Sequence, residues 1–309
     1  MMIQAKNLLK KYSSQNAVNG LSLTVKKGEF YSLLGPNGAG KTTTIQLLSS
    51  LLKPDEGEII IDGKRIGTEN EEIKLVLGIV PQEISLYDEL SAHENLIFWG
   101  KMYRVENSVL EKRINLLLSD FGLFERRNDK IKTFSGGMKR RINIAASLLH
   151  EPKIVFMDEP TVGIDPQSRN NIYDALAQLK NKGTTILYTT HYMEEAERFS
   201  DRVGIIDAGK IIAEGTVEEL KKMSGTSEEI QIKVQSLSEQ QILSLQQKFG
   251  DQFLFTEGLM SIHHTEVKKE LIPVLNFCAS LSLEIESVEI QKTNLEKVFL
   301  SLTGKNLRD

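Results

Sequence analysis

A single cysteine, Cys278, stands among 309 residues, so no disulfide can form within the chain. It sits in an apolar stretch and reads as core filler. No run of 18 or more apolar residues occurs, so no segment is expected to span a bilayer on its own. Residues 1–6 lack the apolar core of a secretory signal. The expected compartment is the cytoplasm, with attachment to a membrane partner left open. Neither sign of charge dominates: 38 Lys and Arg face 42 Asp and Glu, a formal net charge of −4. There is no basic excess of the kind that binds nucleic acid, and no nucleic-acid partner is expected.

What is there is length and alternation. The chain is long for one core and fits a large domain plus a smaller one. Strand patterns at residues 3–8, 18–25 and 29–34 lead to a glycine-rich loop and a helix over 41–52. A strand at 58–62 and strand-like residues 75–80 follow. Residues 90–123 turn helical, with Leu96, Ile97, Trp99 and Gly100, then Leu110, Ile114, Leu117 and Leu118, spaced for one face. A further helix spans 137–150. The apolar run 153–157 fits a buried parallel strand. A helix over 167–182 and a strand over 184–188 repeat the alternation. The fold class is α/β, with a mixed, largely parallel sheet and an inserted helical subdomain at about 83–150.

Residues 35–43 read GPNGAGKTT, and 35–42 match Gly-x4-Gly-Lys-Thr. The glycines let backbone N–H groups curl around an anion, and the following helix N-terminus favours phosphate. Gly35, Pro36, Asn37, Gly38, Ala39, Gly40, Lys41, Thr42 and Thr43 are the phosphate-binding candidates. Lys41 should reach the β and γ phosphates and the Thr42 hydroxyl should hold Mg²⁺, which makes the α/β core that of a P-loop NTPase. The apolar residues 154–157 end in adjacent carboxylates, Asp158 and Glu159. Asp158 is the candidate metal residue, through water, and Glu159 the group that polarises the attacking water. Alone, such a pair also reads as acids capping a helix.

Two further polar residues stand at strand ends. Gln82, after Pro81, is placed to touch metal and water. His191, after Thr189 and Thr190, is placed to bond the γ phosphate and orient Glu159. His93, His150, His263 and His264 have no such support; the last two would face opposite sides of a strand.

The stretch FSGGMKRRINIAASLLHEP, residues 134–152, narrows the choice among NTPases. The chain resembles the ATP-binding subunit of an ATP-binding-cassette (ABC) transporter, whose signature loop is usually Leu-Ser-Gly-Gly-Gln. Ser135, Gly136 and Gly137 match; Phe134 and Met138 depart. The resemblance runs in order to about residue 220. It implies that Tyr12 stacks on adenine, that Gln82 is the Q-loop residue, Asp165 the D-loop aspartate and His191 the switch histidine. It also implies that Ser135 and Gly137 serve ATP held by a second copy, in a homodimer or paired nucleotide-binding subunits joined head to tail. The catalytic set implied is Glu159, His191, Gln82 and Lys41, with Thr42, Gln82 and Asp158 around the metal. A separate multi-helix transmembrane permease must carry the cargo, which places the chain at the cytoplasmic face of the membrane. Residues 82–100, with Tyr87, Asp88 and Glu89, are the expected permease contact. A soluble ABC ATPase acting on ribosomes or DNA, and a nucleotide-gated scaffold without transport, are the alternatives.

The nucleotide-binding domain is expected over 1–223, ending in a hairpin at 207–215 and a helix at 217–223. Ser224, Gly225, Thr226 and Ser227 read as a junction. Residues 228–309 restart as a small α+β domain. Strands at 229–234, 253–256, 259–264 and 283–290 alternate with helices at 239–248, 267–281 and 294–302, with a turn at Glu257 and Gly258. The segment NLEKVFLSLTG, 294–304, is similar to the close of ATP-binding subunits from the ABC-2 export branch, such as drug or antibiotic exporters. The implied role is dimer stabilisation or regulation; the alternative is a packing module with no ligand.

Overall fold

Three strands buried along their whole length form the middle of the fold: β3 (Phe30–Leu34), β7 (Ile154–Asp158) and β8 (Thr185–Thr190). Strands covered on both faces belong to parallel sheets sandwiched by helices. In the computed structural model, which describes residues 1–13, 15–223, 228–256, 258–264, 267–291 and 294–304, they do. The expected junction at Ser224, Gly225, Thr226 and Ser227 and the Glu257 half of a turn lie outside the described residues.

The chain divides into two compact units, Met1–Val217 and a second beginning at Glu218. In the first, β6 (Leu77–Val80), β9 (Arg202–Asp207) and β10 (Lys210–Gly215) complete a six-stranded sheet of order β10-β9-β3-β8-β7-β6. All neighbours pair in parallel except β10 with β9, so the sheet is mixed. A second, antiparallel sheet has the order β2-β1-β4-β5, from β1 (Ile3–Tyr12), β2 (Gln15–Val25), β4 (Glu56–Ile61) and β5 (Lys64–Arg65). Helices α1 (Lys41–Leu48) and α2 (Asn70–Val76) precede the inserted block. That block, between β6 and β7, holds α3 (Ala92–Met102), α4 (Asn107–Asp120) and α5 (Gly136–Leu148). Leu96, Leu110, Ile114 and Ile142 share one core with Val155 and Met157 of the sheet. At roughly 1.5–3 kcal/mol per buried aliphatic side chain, this seam is what anchors the insert. Helices α6 (Pro166–Asn181) and α7 (Met193–Phe199) flank β8.

Element boundaries differ from expectation before β6 and at the end of α1, and the helix over 217–223, expected to close the first domain, opens the second unit. Residues 75–80 are not one strand: α2 runs through Val76 and the strand begins at Leu77. Ile73 is the only buried residue of α2, so a single apolar contact left no helical period to read. The helix expected over 41–52 stops at Leu48, because Ser50 takes a left-handed φ of 62°.

The second unit opens with α8 (Val217–Met223), which begins at the boundary. It continues with β11 (Glu228–Val234), α9 (Glu239–Phe249), β12 (Phe253–Thr256), β13 (Leu259–His264), α10 (Val267–Ser280), β14 (Ile285–Gln291) and α11 (Leu295–Thr303). The antiparallel order β12-β13-β11-β14 with this succession is a ferredoxin-like β-α-β-β-α-β fold. Ile230, Ile232, Met260 and Ile262 face Leu245, Val274 and Cys278 in its core. Cys278 is buried filler, as its neighbourhood suggested, and burial pushes its thiol up to about 11. The alternating apolar residues of β14 are not buried. Val288 and Ile290 lie opposite Ile232 and Ile230, yet remain 37% and 36% exposed on the edge strand.

Candidate active site

Parallel register brings four strand ends to one edge. Leu34 pairs with Thr190, Asp158 with Thr189, and Val80 with Met157. The segments that follow, at Gly35, Glu159, His191 and Gln82, therefore emerge side by side. Carboxyl ends of parallel strands are where open α/β sheets hold ligands.

Between β3 and α1 the loop turns through Gly38 and Gly40, at φ 79° and 102°. A side chain at Gly40 would meet the Ala17 carbonyl at 2.3 Å, so β2 braces the loop at a position open only to glycine. Lys41 is 5% exposed. Its ammonium donates to the Gly35 and Pro36 carbonyls, each at 2.8 Å, and pairs with Glu159 Oε1 at 2.9 Å. The other Glu159 oxygen lies 3.2 Å from His191 Nδ1. Glu159 thus stands between a cation and an imidazole, a placement that burial makes electrostatically strong. Its backbone takes a left-handed φ of 45°, a strain of about 1–3 kcal/mol for a non-glycine residue. Its N–H donates to both the carbonyl and the hydroxyl of Thr189, at 3.2 and 3.0 Å, which holds that conformation. The same hydroxyl donates to Asp158 at 2.6 Å.

A cleft of about 230 Å³ is lined by Ala17, Asn37, Gly38, Gly40, Lys41, Thr42, Thr43, Gln82 and Glu159. The structure therefore brings Gln82 to the phosphate loop and to Glu159, and opens Thr42 to the cleft. Tyr12, on the hairpin that contains Ala17, is 48% exposed and outside this lining. Ser135, Gly136 and Gly137 are also outside it. Ser135 caps α5, accepting from the Met138 N–H at 3.3 Å. Gly137 lies against α6: a side chain there would meet Ser168 Oγ at 2.2 Å. Asp165 caps α6 by accepting from the Ser168 N–H at 2.9 Å. That bond and the Ser168 hydroxyl hold its carboxyl below the usual carboxylate range.

Sequence reasoning missed several groups that shape the site. Arg140, three residues past Gly137 and 4% exposed, donates to the Pro81 carbonyl at 2.6 Å and to the Gln82 carbonyl. Burial lowers its pKa, opposed by the Asp158 charge. The two departures in the signature loop meet one residue: Arg126 lies 4.9 Å from the centroid of the Phe134 ring and donates to Met138 Sδ at 3.4 Å. Nothing local in the sequence ties Arg126 to residues 8 and 12 positions away. The acids expected to face a partner are paired internally, Asp88 with Lys139 at 2.7 Å and Glu89 with Lys132 at 3.0 Å. Tyr87 is exposed and packs edge-on to Phe98. Among the described residues no three His, Cys, Asp or Glu gather as a metal site. The groups expected at the metal, the Thr42 hydroxyl, the Gln82 amide and the Asp158 carboxylate, are all oxygen donors, a set suited to Mg²⁺ shared with phosphates.

A glycine-rich phosphate loop, paired carboxylates and a histidine on the carboxyl edge of a parallel sheet define an α/β nucleoside triphosphatase. A profile of the ABC transporter family matches residues 18–162. The chain is 46% identical to the linearmycin resistance ATP-binding protein LnrL of Bacillus subtilis (strain 168), over 100% of both chains. It is 35% identical to the Nod factor export ATP-binding protein I of Cupriavidus pinatubonensis, over 100% of this chain and 92% of that one. Among solved structures it is similar to the dimeric ATP-binding cassette MJ0796 bound to ADP and Pi, with TM-score 0.63 and 31% identity over 70% of this chain and 98% of that one. The chain belongs to the ABC transporter family, and within it is an ATP-binding, ATP-hydrolysing subunit.

Proposed function

We propose that this chain is the motor of an exporter, working as two copies or paired subunits against a separate multi-helix permease at the cytoplasmic face of a membrane. The observation that carries the reading is Glu159 held between Lys41 and His191 on the wall of a cleft that also contains Gln82. Glu159 takes the proton of the attacking water, a role that contributes typically ~10²–10⁴-fold. Lys41, His191 and the loop N–H groups of residues 35–43 hold the charge that develops on the transferred phosphoryl group. Thr42 and Gln82 would hold Mg²⁺ directly and Asp158 through water; bound there, it neutralises phosphate charge. Tyr12, exposed on the hairpin whose Ala17 braces the phosphate loop, offers a face for adenine.

Ser135, Gly136 and Gly137 lie outside the cleft, which supports their use on ATP held by a second copy. The dimeric state of MJ0796 supports the same arrangement. No helix among the described residues is long and apolar enough to cross a membrane, and the reading assigns that part to a separate permease. An open groove of about 680 Å³ between α1, α2 and α3 suits it. Leu51, Leu75 and Met102 line the groove at 69%, 50% and 63% exposure. Export is supported by the similarity to LnrL, a linearmycin resistance ATP-binding protein, and to the Nod factor export ATP-binding protein I.

The test is a tagged full-length chain purified from detergent-solubilised membranes, beside Glu159→Gln, with mass spectrometry of what accompanies each. ATPase activity that Glu159→Gln removes, with a polytopic membrane protein bound, is the expected result. The same activity accompanied by ribosomal proteins, or by no membrane protein, overturns the transport reading.

A further inference from the structure

Glu195 is a buried acid on α7, 2% exposed, with no part in the hydrolytic chemistry described above. Four hydroxyls converge on it. Thr161 and Tyr173 donate to one oxygen at 2.6 and 2.9 Å. Tyr188 and Thr190 donate to the other at 2.8 and 2.7 Å. A carboxylate accepts about four hydrogen bonds, so its capacity is filled by protein groups alone. Burial first, and the Glu195 charge second, raise the phenols of Tyr173 and Tyr188, which keeps them protonated donors.

Two of the donors matter for their places in the chain. Thr161 lies two residues after Glu159, at the start of the turn that leads to Asp165. Thr190 directly precedes His191, and its hydroxyl also accepts from the Tyr192 N–H at 2.9 Å, so His191 is flanked on both sides. The Thr190 carbonyl in turn accepts from the Gly35 N–H at 3.3 Å. One carboxylate thus ties the segment carrying Glu159 to the segment carrying His191, at the edge where the phosphate loop begins. Stability alone is a poor reason for such a group, because well-packed apolar residues commonly do as well as a buried charge.

We propose that Glu195 is a positioning residue for hydrolysis, holding the Thr161 turn and the Thr190 strand end in register so that Glu159 and His191 meet in one geometry. This rests on the reading of Glu159 as base and His191 as its partner. A cluster that only stabilised the fold would use its four hydroxyls alike. A positioning cluster uses Thr161 and Thr190 for catalysis and Tyr173, on α6, as an anchor.

The experiment measures kcat, ATP affinity and Tm for the full-length chain with Thr161→Val, Thr190→Val, Tyr173→Phe, Glu195→Gln and Glu159→Gln. The expected result is a kcat about tenfold lower in each threonine variant and in Glu195→Gln, with ATP affinity within about twofold of wild type. Tyr173→Phe should shift Tm as much as the threonine variants but change kcat less than about twofold. Equal kcat losses across the three hydroxyl deletions, or losses that simply follow Tm, overturn the proposal. So does normal turnover in Glu195→Gln. Should Glu195→Gln not fold, the three hydroxyl deletions decide alone. Normal turnover in Glu159→Gln would instead sink the underlying base assignment.

Discussion

The guanidinium of Arg140, on the helix that the signature loop opens, is bonded to the backbone carbonyl of Gln82, on the wall of the nucleotide cleft. A second bond reaches the Pro81 carbonyl at 2.6 Å. Two charge-assisted bonds thus join α5 to the segment that carries Gln82. Arg140→Met should leave two carbonyls short of a donor and lower stability by about 2–4 kcal/mol. Thermal unfolding checks it: an unchanged Tm would show that water replaces the guanidinium at no cost.

The seam between Gly137 and Ser168 admits no side chain. Gly137→Ala should strain it by about 1–3 kcal/mol and reduce ATPase activity. The double variant Gly137→Ala with Ser168→Gly removes the clashing hydroxymethyl and should recover most of the loss. Failure of that rescue would place the damage in the loop's own contacts rather than in α6.

Tyr12 offers its ring from an exposed hairpin position. Stacking of a base on an aromatic side chain is worth about 1–3 kcal/mol. Tyr12→Ala should weaken ATP binding by about tenfold, and Tyr12→Phe should leave it near wild type. Fluorescent-nucleotide titration separates the two; equal affinities for all three chains would remove Tyr12 from the adenine site.

His150 gives a pH prediction. Its ring stacks on Tyr103 at 3.8 Å, and Nε2 donates to the Leu77 carbonyl at 3.2 Å. Burial is the main cause that lowers its pKa from 6.5 to about 4. The folded state thus resists a proton that the unfolded state accepts. This histidine's contribution is fully present above pH ~6.5, is lost as pH falls, and levels off below about 4, a change of about 3 kcal/mol. His150→Phe keeps a ring against Tyr103 and should flatten the Tm profile between those limits. A profile as steep as wild type would assign the acid sensitivity to other groups.

Much of the fold was legible because its signals are local. The apolar run 153–157 marked β7, strand patterns at 29–34 and 184–188 marked β3 and β8, and a spaced run of glycines before Lys41 marked the phosphate loop. The strand over 75–80 was misread where α2 ends, since one buried isoleucine carries no period. The alternation of β14 was real, but alternation reports which residues share a face and not whether that face is covered. Asp88 and Glu89 looked free for a partner because their lysines lie about 40 to 50 positions away in sequence.

The sequence by itself determined the inventory: a loop able to curl around phosphate, an acidic pair at a strand end, and an alternation that yields a parallel sheet. Those follow from backbone freedom, residue chemistry and period, all of which act over a few neighbours. Tertiary structure alone decided that Lys41 pairs with Glu159, that Arg140 holds Gln82, and that four hydroxyls from residues 161 to 190 converge on Glu195. Parallel strands bring distant segments to one edge in a fixed register, and only that register says which side chains come within hydrogen-bonding distance.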